Sequence, residues 1–220
     1  MKRIEFISFE EFQKIFRAEK DRKMKLALLL GYGAGMRISE IVGLREWESR
    51  CCNTDVFQKR IKLDGVTVKR FYCSKCQEQL DTTKMIRSKT KWKIPPLTAD
   101  KIDLESHQIR LDIAKGGKWR VTVTPPNLNA SHLPLLPIKI ERRTLQNRFD
   151  RLTMRVLNKK MSFHILRHGF GNYQANVLKL PLPIVQQMMG HTRLDTTGIY
   201  TRVNPEYAIG EAWRAMNGKA

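Results

Sequence analysis

Two arginines, two histidines and a tyrosine stand in short, recognisable strings along this chain. Arg37 lies in Ala34-Gly35-Met36-Arg37-Ile38-Ser39-Glu40-Ile41, and His164 and Arg167 lie in His164-Ile165-Leu166-Arg167-His168. His191 follows Met189-Gly190, and Tyr200 closes Thr196-Thr197-Gly198-Ile199-Tyr200. A guanidinium stays charged and grips a phosphate bidentately. An imidazole gives or takes a proton near neutral pH. A tyrosine hydroxyl, once activated, forms covalent intermediates. These types together suit chemistry at a phosphate. Each also has a plain structural reading. Arg37 at a helix start would be salt-bridged, and His164 and Arg167 would share one helix face. His191 would cap a helix, and Tyr200 would sit in the core or an interface.

The charge balance names the partner class. Lys and Arg number 41 against 21 Asp and Glu, for a net charge of +20. A folded domain this basic points to a polyanion, most commonly nucleic acid. With 41% hydrophobic residues in 220, the chain can bury a core of its own. The apolar run over residues 26–36 is far below the roughly 20 residues of a membrane span. Glu5, Glu10 and Glu11 follow the basic start where a secretory signal would be apolar, so a cytoplasmic location is expected. All four cysteines, Cys51, Cys52, Cys73 and Cys76, fall in one short stretch. In an intracellular chain that clustering suggests a metal site before a disulfide framework.

The elements that must position these residues can be read from caps and periodicity. Ser8-Phe9-Glu10-Glu11 has the pattern of a capping box, followed by an apolar face at Phe12, Ile15 and Phe16. A second helix is expected over residues 21–32, broken by Gly31, Gly33 and Gly35, and a third near Met36-Arg37. Strand-like runs at 56–63 and 66–73 flank Asp64-Gly65, a pair suited to a two-residue hairpin turn. A second hairpin is expected from 108–114 and 118–124, turning at Lys115-Gly116-Gly117. The remainder reads as helices over 142–157, 163–178 and 183–189, a short segment at 196–200 and a tail helix at 205–216, after a Pro- and Asn-rich loop at 125–137.

The arginine string at 34–41, the HxLRH string at 164–168 and the GH…TT..Y box from Gly190 to Tyr200 resemble, in that order, the motifs of the tyrosine recombinase (phage integrase) family. Lys115, in Ala114-Lys115-Gly116-Gly117-Lys118, sits where that family places a lysine on a hairpin between its arginine motifs. The resemblance covers residues 8–44 and 100–216. It implies a mainly α fold with a small antiparallel β-sheet and a DNA recombinase of a virus, an archaeon or a mobile element. Such an enzyme cleaves and rejoins strands through a 3′-phosphotyrosine link. On that reading Tyr200 is the nucleophile, and Arg37, Arg167 and His191 hold the phosphate. His164 does the same or takes the Tyr200 proton, and Lys115 is the general acid, with Lys118 as its runner-up. Neither ATP nor a metal ion is needed, because the covalent bond conserves the energy of the phosphodiester. The partners implied are duplex attachment sites and further copies of the chain. Glu40 would brace Arg37 or its helix, His168 would pack, and His107 and His132 would face solvent.

Residues 47–97 fall outside the resemblance and read as an inserted, cysteine-bearing hairpin. With Asp64-Gly65 at the turn, Leu63 pairs with Val66 and Asn53 comes opposite Cys76, so all four cysteines reach one end. Four thiolates suit a structural zinc. Against it, adjacent residues on a strand point to opposite faces, which separates Cys51 from Cys52. Disulfides and free thiols remain the alternatives. The stretch is also basic, and Arg87, Lys89, Lys91 and Lys93, with Lys118, are expected to contact the DNA backbone. Trp92 among them would pack on the domain or stack on a base. The separate helical domain that family members carry ahead of the catalytic one is not expected within these residues. Two rivals share the composition: a type IB topoisomerase, separated by strand exchange between two sites, and a DNA-binding accessory protein whose site is vestigial.

Overall fold

The computed structural model describes residues 6–112 and 119–190. Helix α1 (Phe9–Ala18) starts at the expected capping box. The Glu11 amide donates to Ser8 Oγ at 3.1 Å, and the Ser8 amide donates to Glu11 Oε2 at 3.0 Å. Helix α2 (Arg22–Gly33) is capped by Asp21, whose carboxylate accepts from the Met24 amide at 2.8 Å. Its residues from Leu26 to Tyr32 are buried on every side, which makes α2 the central helix of the core. It crosses α5 (His164–Asn172) closely enough that a Cβ on Gly31 would lie 3.0 Å from Leu166 and Phe163. Helix α4 (Arg142–Leu157) matches the expected span and ends on Asn158 in the left-handed conformation, φ 53°. Helix α6 (Leu182–Met189) ends on Gly190, φ 60°.

Helix α3 (Ile38–Ile41), the third helix expected near Met36-Arg37, is a single turn. Strand β1 (Leu44–Ser49) follows and pairs antiparallel with β5 (Met85–Ile94). The sequence reading assigned no strand to either segment. Their alternation is hidden because arginines stack on tryptophans where aliphatic residues would otherwise sit. The Arg45 guanidinium lies 4.0 Å from the Trp92 ring centroid, and that of Arg87 lies 3.6 Å from Trp47.

Beside the small sheet and the inserted hairpin that were expected, the β1–β5 pair is a further small antiparallel sheet, making three among the described residues, so the fold is a mixture of helices and strands where a mainly α one was expected. The second is the hairpin of β2 (Val56–Leu63) and β3 (Val66–Cys73), edged by β4 (Gln79–Leu80). Its register runs from Leu63↔Val66 to Val56↔Cys73, as the turn residues require. Asp64 and Gly65 both have positive φ, 48° and 77°. Leu63 and Val66 at the tip are exposed, so the hairpin projects as an arm. The third sheet joins β6 (Ile102–Asp103), β7 (Gln108–Leu111) and β8 (Arg120–Val123), with Leu111 opposite Arg120. The segments expected at 196–200 and 205–216 lie outside the described residues.

Candidate active site

The loop between α2 and α3 is where the site is built. Gly35, with φ 61°, lets the chain turn there, and a Cβ at this position would lie 2.4 Å from the Phe170 ring on α5. The turn delivers Arg37 to the start of α3. Its amide and its Nη1 both donate to the Glu40 carboxylate, each at 2.8 Å. From α5, Arg167 reaches the same loop. Its Nη1 donates to the Gly35 carbonyl at 2.5 Å, and its Nη2 donates to the Met189 carbonyl at the end of α6. Arg167 is 1% exposed. Two of its five N–H donors are thereby committed to backbone carbonyls. Arg37 and Arg167, 130 positions apart in sequence, are thus brought to one short loop.

Arg120 on β8 completes this corner and was not singled out in the sequence. Its Nη2 donates to Glu40 Oε2 at 2.7 Å, and its Nη1 donates to the Met188 carbonyl. Its side chain is 4% exposed and that of Glu40 is fully buried. Burial alone would raise the Glu40 carboxyl. The Arg120 charge and hydrogen bond, followed by those of Arg37, outweigh it and bring the pKa down to about 2. Two residues along β8, Thr122 Oγ1 donates to the Ala34 carbonyl at 2.8 Å. The hairpin stem that leads to Lys115 and Lys118 is therefore fastened to the Arg37 loop. No local pattern announces Arg120, because its partners lie 80 and 68 residues away.

His164 is exposed one helical turn before Arg167, and its ring meets His168 edge-on at 4.6 Å between centroids. Burial, followed by the Arg167 charge, lowers the His168 pKa below its ordinary 6.5 and so favours the neutral ring. His107 is exposed, as expected. His132 is only partly so, accepting the Asn129 amide at 3.3 Å in a short cap. Lys115, Lys118, His191 and Tyr200 lie outside the described residues.

A basic cleft of about 590 Å³ opens at the other end of α3, between β1, β5 and the start of α4. Arg45, Arg87, Arg142 and Arg143 line it with Trp92, against the single acid Glu141. Trp92 packs on the domain, with its ring against Gly43 and Arg45. Of the lysines expected to meet DNA, Lys89 and Lys93 are exposed. Lys91 is different, because it pairs with Asp55 at 2.6 Å and its charge is partly spent.

The sulfurs of Cys51, Cys52, Cys73 and Cys76 all lie within 4.8 Å of one another, with Cys51 and Cys76 3.6 Å apart. The objection from strand geometry does not hold. Strand β1 ends at Ser49, Cys51 and Cys52 occupy a turn closed by Asn53 at φ 52°, and both can face inward. Cys73 is buried and shares hydrogen bonds of 3.3 Å with the hydroxyls of Ser49 and Thr54. Those bonds favour the thiolate of Cys73 and bring its pKa down to about 5.

Comparison with known proteins supplies the family. The model of the phage integrase family matches residues 5–207. The chain belongs to that family. It is 26% identical over 212 residues to a XerC-like tyrosine recombinase of Caldanaerobacter subterraneus subsp. tengcongensis, covering 92% of this chain and 51% of the relative. It is 38% identical over 71 residues to the tyrosine recombinase XerD of Chlamydia muridarum, covering 32% of this chain and 23% of that one. The chain thus spans about half or less of the relatives it matches. In fold it resembles the XerA recombinase, with a TM-score of 0.57 at 16% identity over 98% of this chain and 66% of that one. It also resembles the XerH recombinase bound to a palindromic difH substrate, with a TM-score of 0.52 at 18% identity, over 96% of this chain and 52% of that one. Membership of the phage integrase family gives the corner of Arg37, Glu40, Arg120 and Arg167 its context. No helix among the described residues is long and apolar enough to cross a membrane.

Proposed function

We propose that this phage integrase family member is a site-specific recombinase that cleaves and rejoins duplex DNA, with Tyr200 as its nucleophile. The observation that carries the reading is the convergence of Arg37 and Arg167 on the loop at Gly35. The Tyr200 oxygen attacks the scissile phosphorus and its proton passes to a nearby base, for which His164 is the candidate. The bond to the 5′ oxygen breaks, and Lys115 protonates that oxygen as it leaves. Arg37, Arg167 and His191 neutralise charge on the non-bridging oxygens, which is the main task in phosphoryl transfer. The reverse attack by a 5′ hydroxyl of another strand releases Tyr200 and completes exchange. Chemistry of this kind consumes no ATP and uses no metal. Recombination of two duplexes requires several copies of the chain on DNA. The test is incubation of the protein with two duplexes carrying its sites. Exchanged strands are expected, whereas relaxation of supercoiled DNA without exchange would assign a topoisomerase instead.

Residues 47–97 form, on this reading, an insertion in the catalytic domain that grips the DNA backbone. The basic cleft with Arg87, and the exposed Lys89 and Lys93 of the same strand, supply cations, and Lys118 is assigned to the same task from its place in the sequence. The cysteine cluster holds a structural zinc that fixes the base of the hairpin arm. Tetrahedral Zn–S bonds of about 2.3 Å place sulfurs about 3.8 Å apart, close to the 3.6 Å between Cys51 and Cys76 and far from a disulfide bond of about 2 Å.

A further inference from the structure

Glu40 poses a problem for any role of Arg37 at a phosphate. A carboxylate 2.8 Å from Arg37 Nη1 competes for the guanidinium and cancels its charge. A neutral Arg37–Glu40 pair has little left to offer a phosphodiester. Arg120 alters the sum. Glu40 Oε2 also accepts from Arg120 Nη2 at 2.7 Å, so the chain of three groups carries a net positive charge. The Glu40 side chain is fully buried and that of Arg120 is 4% exposed, so water screens neither.

The same side chain fixes a second part of the site. Arg120 Nη1 donates to the Met188 carbonyl, in the last turn of α6. Its Cδ lies so close to Gly190 that a Cβ there would come within 2.5 Å. Gly190 immediately precedes His191. Arg120 begins β8, the strand that leads out of the segment bearing Lys115. One buried guanidinium therefore joins the Arg37 turn, the stem of the lysine hairpin and the end of the helix before His191.

We infer that Arg120 is a positioning residue for strand cleavage: by sharing Glu40 with Arg37, it leaves Arg37 oriented and charged for the scissile phosphate. This rests on the reading that Arg37 binds that phosphate. Arg120 itself touches no reacting atom.

The test compares Arg120→Met, Arg120→Lys and Arg37→Ala in single-turnover cleavage of a nicked duplex at saturating full-length protein. Two substrates are used, an ordinary scissile phosphodiester and a methylphosphonate, whose missing negative charge removes the need for Arg37. Arg120→Met should cleave the phosphodiester about 10- to 100-fold more slowly, the loss expected when a catalytic group is misplaced by about 1 Å. Its DNA affinity should stay within about threefold of the wild type, because an alternative structural defect would lower both. On the methylphosphonate the deficit should shrink several-fold, and Arg120→Lys should recover part of the phosphodiester rate. An equal deficit on both substrates, or none on either, would overturn the inference. Should Arg120→Met fail to fold, Arg120→Lys, which keeps the buried charge beside Glu40, carries the comparison, with a smaller deficit that again shrinks on the methylphosphonate. If Arg37→Ala cleaves the phosphodiester at the wild-type rate, the reading of Arg37 fails, a result separate from failure of the Arg120 role.

Discussion

Glu40→Gln is the perturbation whose consequence the structure fixes best. The substitution keeps the shape of the side chain and removes its charge, leaving Arg120 buried without a counter-ion. Removing one partner of a buried pair costs about 3–5 kcal/mol. Linkage gives an independent figure. The Glu40 pKa lies at about 2 in the fold, below an ordinary 4.5. That depression is worth about 3 kcal/mol at neutral pH, in agreement with the direct estimate. A depressed carboxyl stabilises the fold above its unfolded pKa, and the benefit is lost as the pH falls towards its folded pKa. The contribution is therefore whole above about pH 5.5, and about 1 kcal/mol of it survives at pH 3. Urea unfolding of wild type and variant at pH 7 and pH 3 reads both numbers. At pH 7 a melting-temperature loss of about 6–20 °C should accompany the change. A difference below about 1 kcal/mol at pH 7, or one that does not narrow at pH 3, would refute the account of this corner.

Three further outcomes are expected. Gly190→Ala places a Cβ 2.5 Å from the pinned Arg120 stem at a positive φ, and should cost about 2–4 kcal/mol by urea unfolding, whereas Gly65→Ala at the open hairpin tip should cost about 1. Purified protein should contain one zinc per chain by elemental analysis, and Cys73→Ser should lose it together with thermal stability, while Cys→Ser changes without effect on metal content would exclude the site. Arg87→Ala combined with Arg142→Ala should weaken DNA binding and lower the slope of log affinity against log salt by about 1–2, and an unchanged slope would remove the cleft from the DNA interface.

Much of this arrangement could be read before any coordinates. The capping box at Ser8, the span of α4 and the register of the β2–β3 hairpin follow from local rules, since each depends on residues a few positions apart. The β1–β5 pairing was hidden because its outer face is made of arginine stems on half-exposed tryptophan rings, which reads as charged surface. The cysteine cluster was foreseen, but its geometry was misjudged at Cys51-Cys52, where a turn replaces the assumed strand. Arg37 and Arg167 were legible through their motif strings. Arg120 was not, because a buried ion pair across 80 residues leaves no mark on neighbouring positions. The cleft residues Arg45, on β1, and Arg142 and Arg143, at the start of α4, were missed because they come from elements far apart in sequence.

The central claim is that Tyr200 becomes covalently joined to DNA. A nicked duplex carrying the cleavage site, whose short fragment with the freed 5′ hydroxyl diffuses away after cutting, should trap the adduct. Denaturing electrophoresis is expected to show a protein–DNA band, and mass spectrometry of its tryptic peptides should place the phosphate on Tyr200. Tyr200→Phe should abolish the band and leave DNA binding intact. An adduct that survives in Tyr200→Phe, or that maps to another residue, would contradict the account.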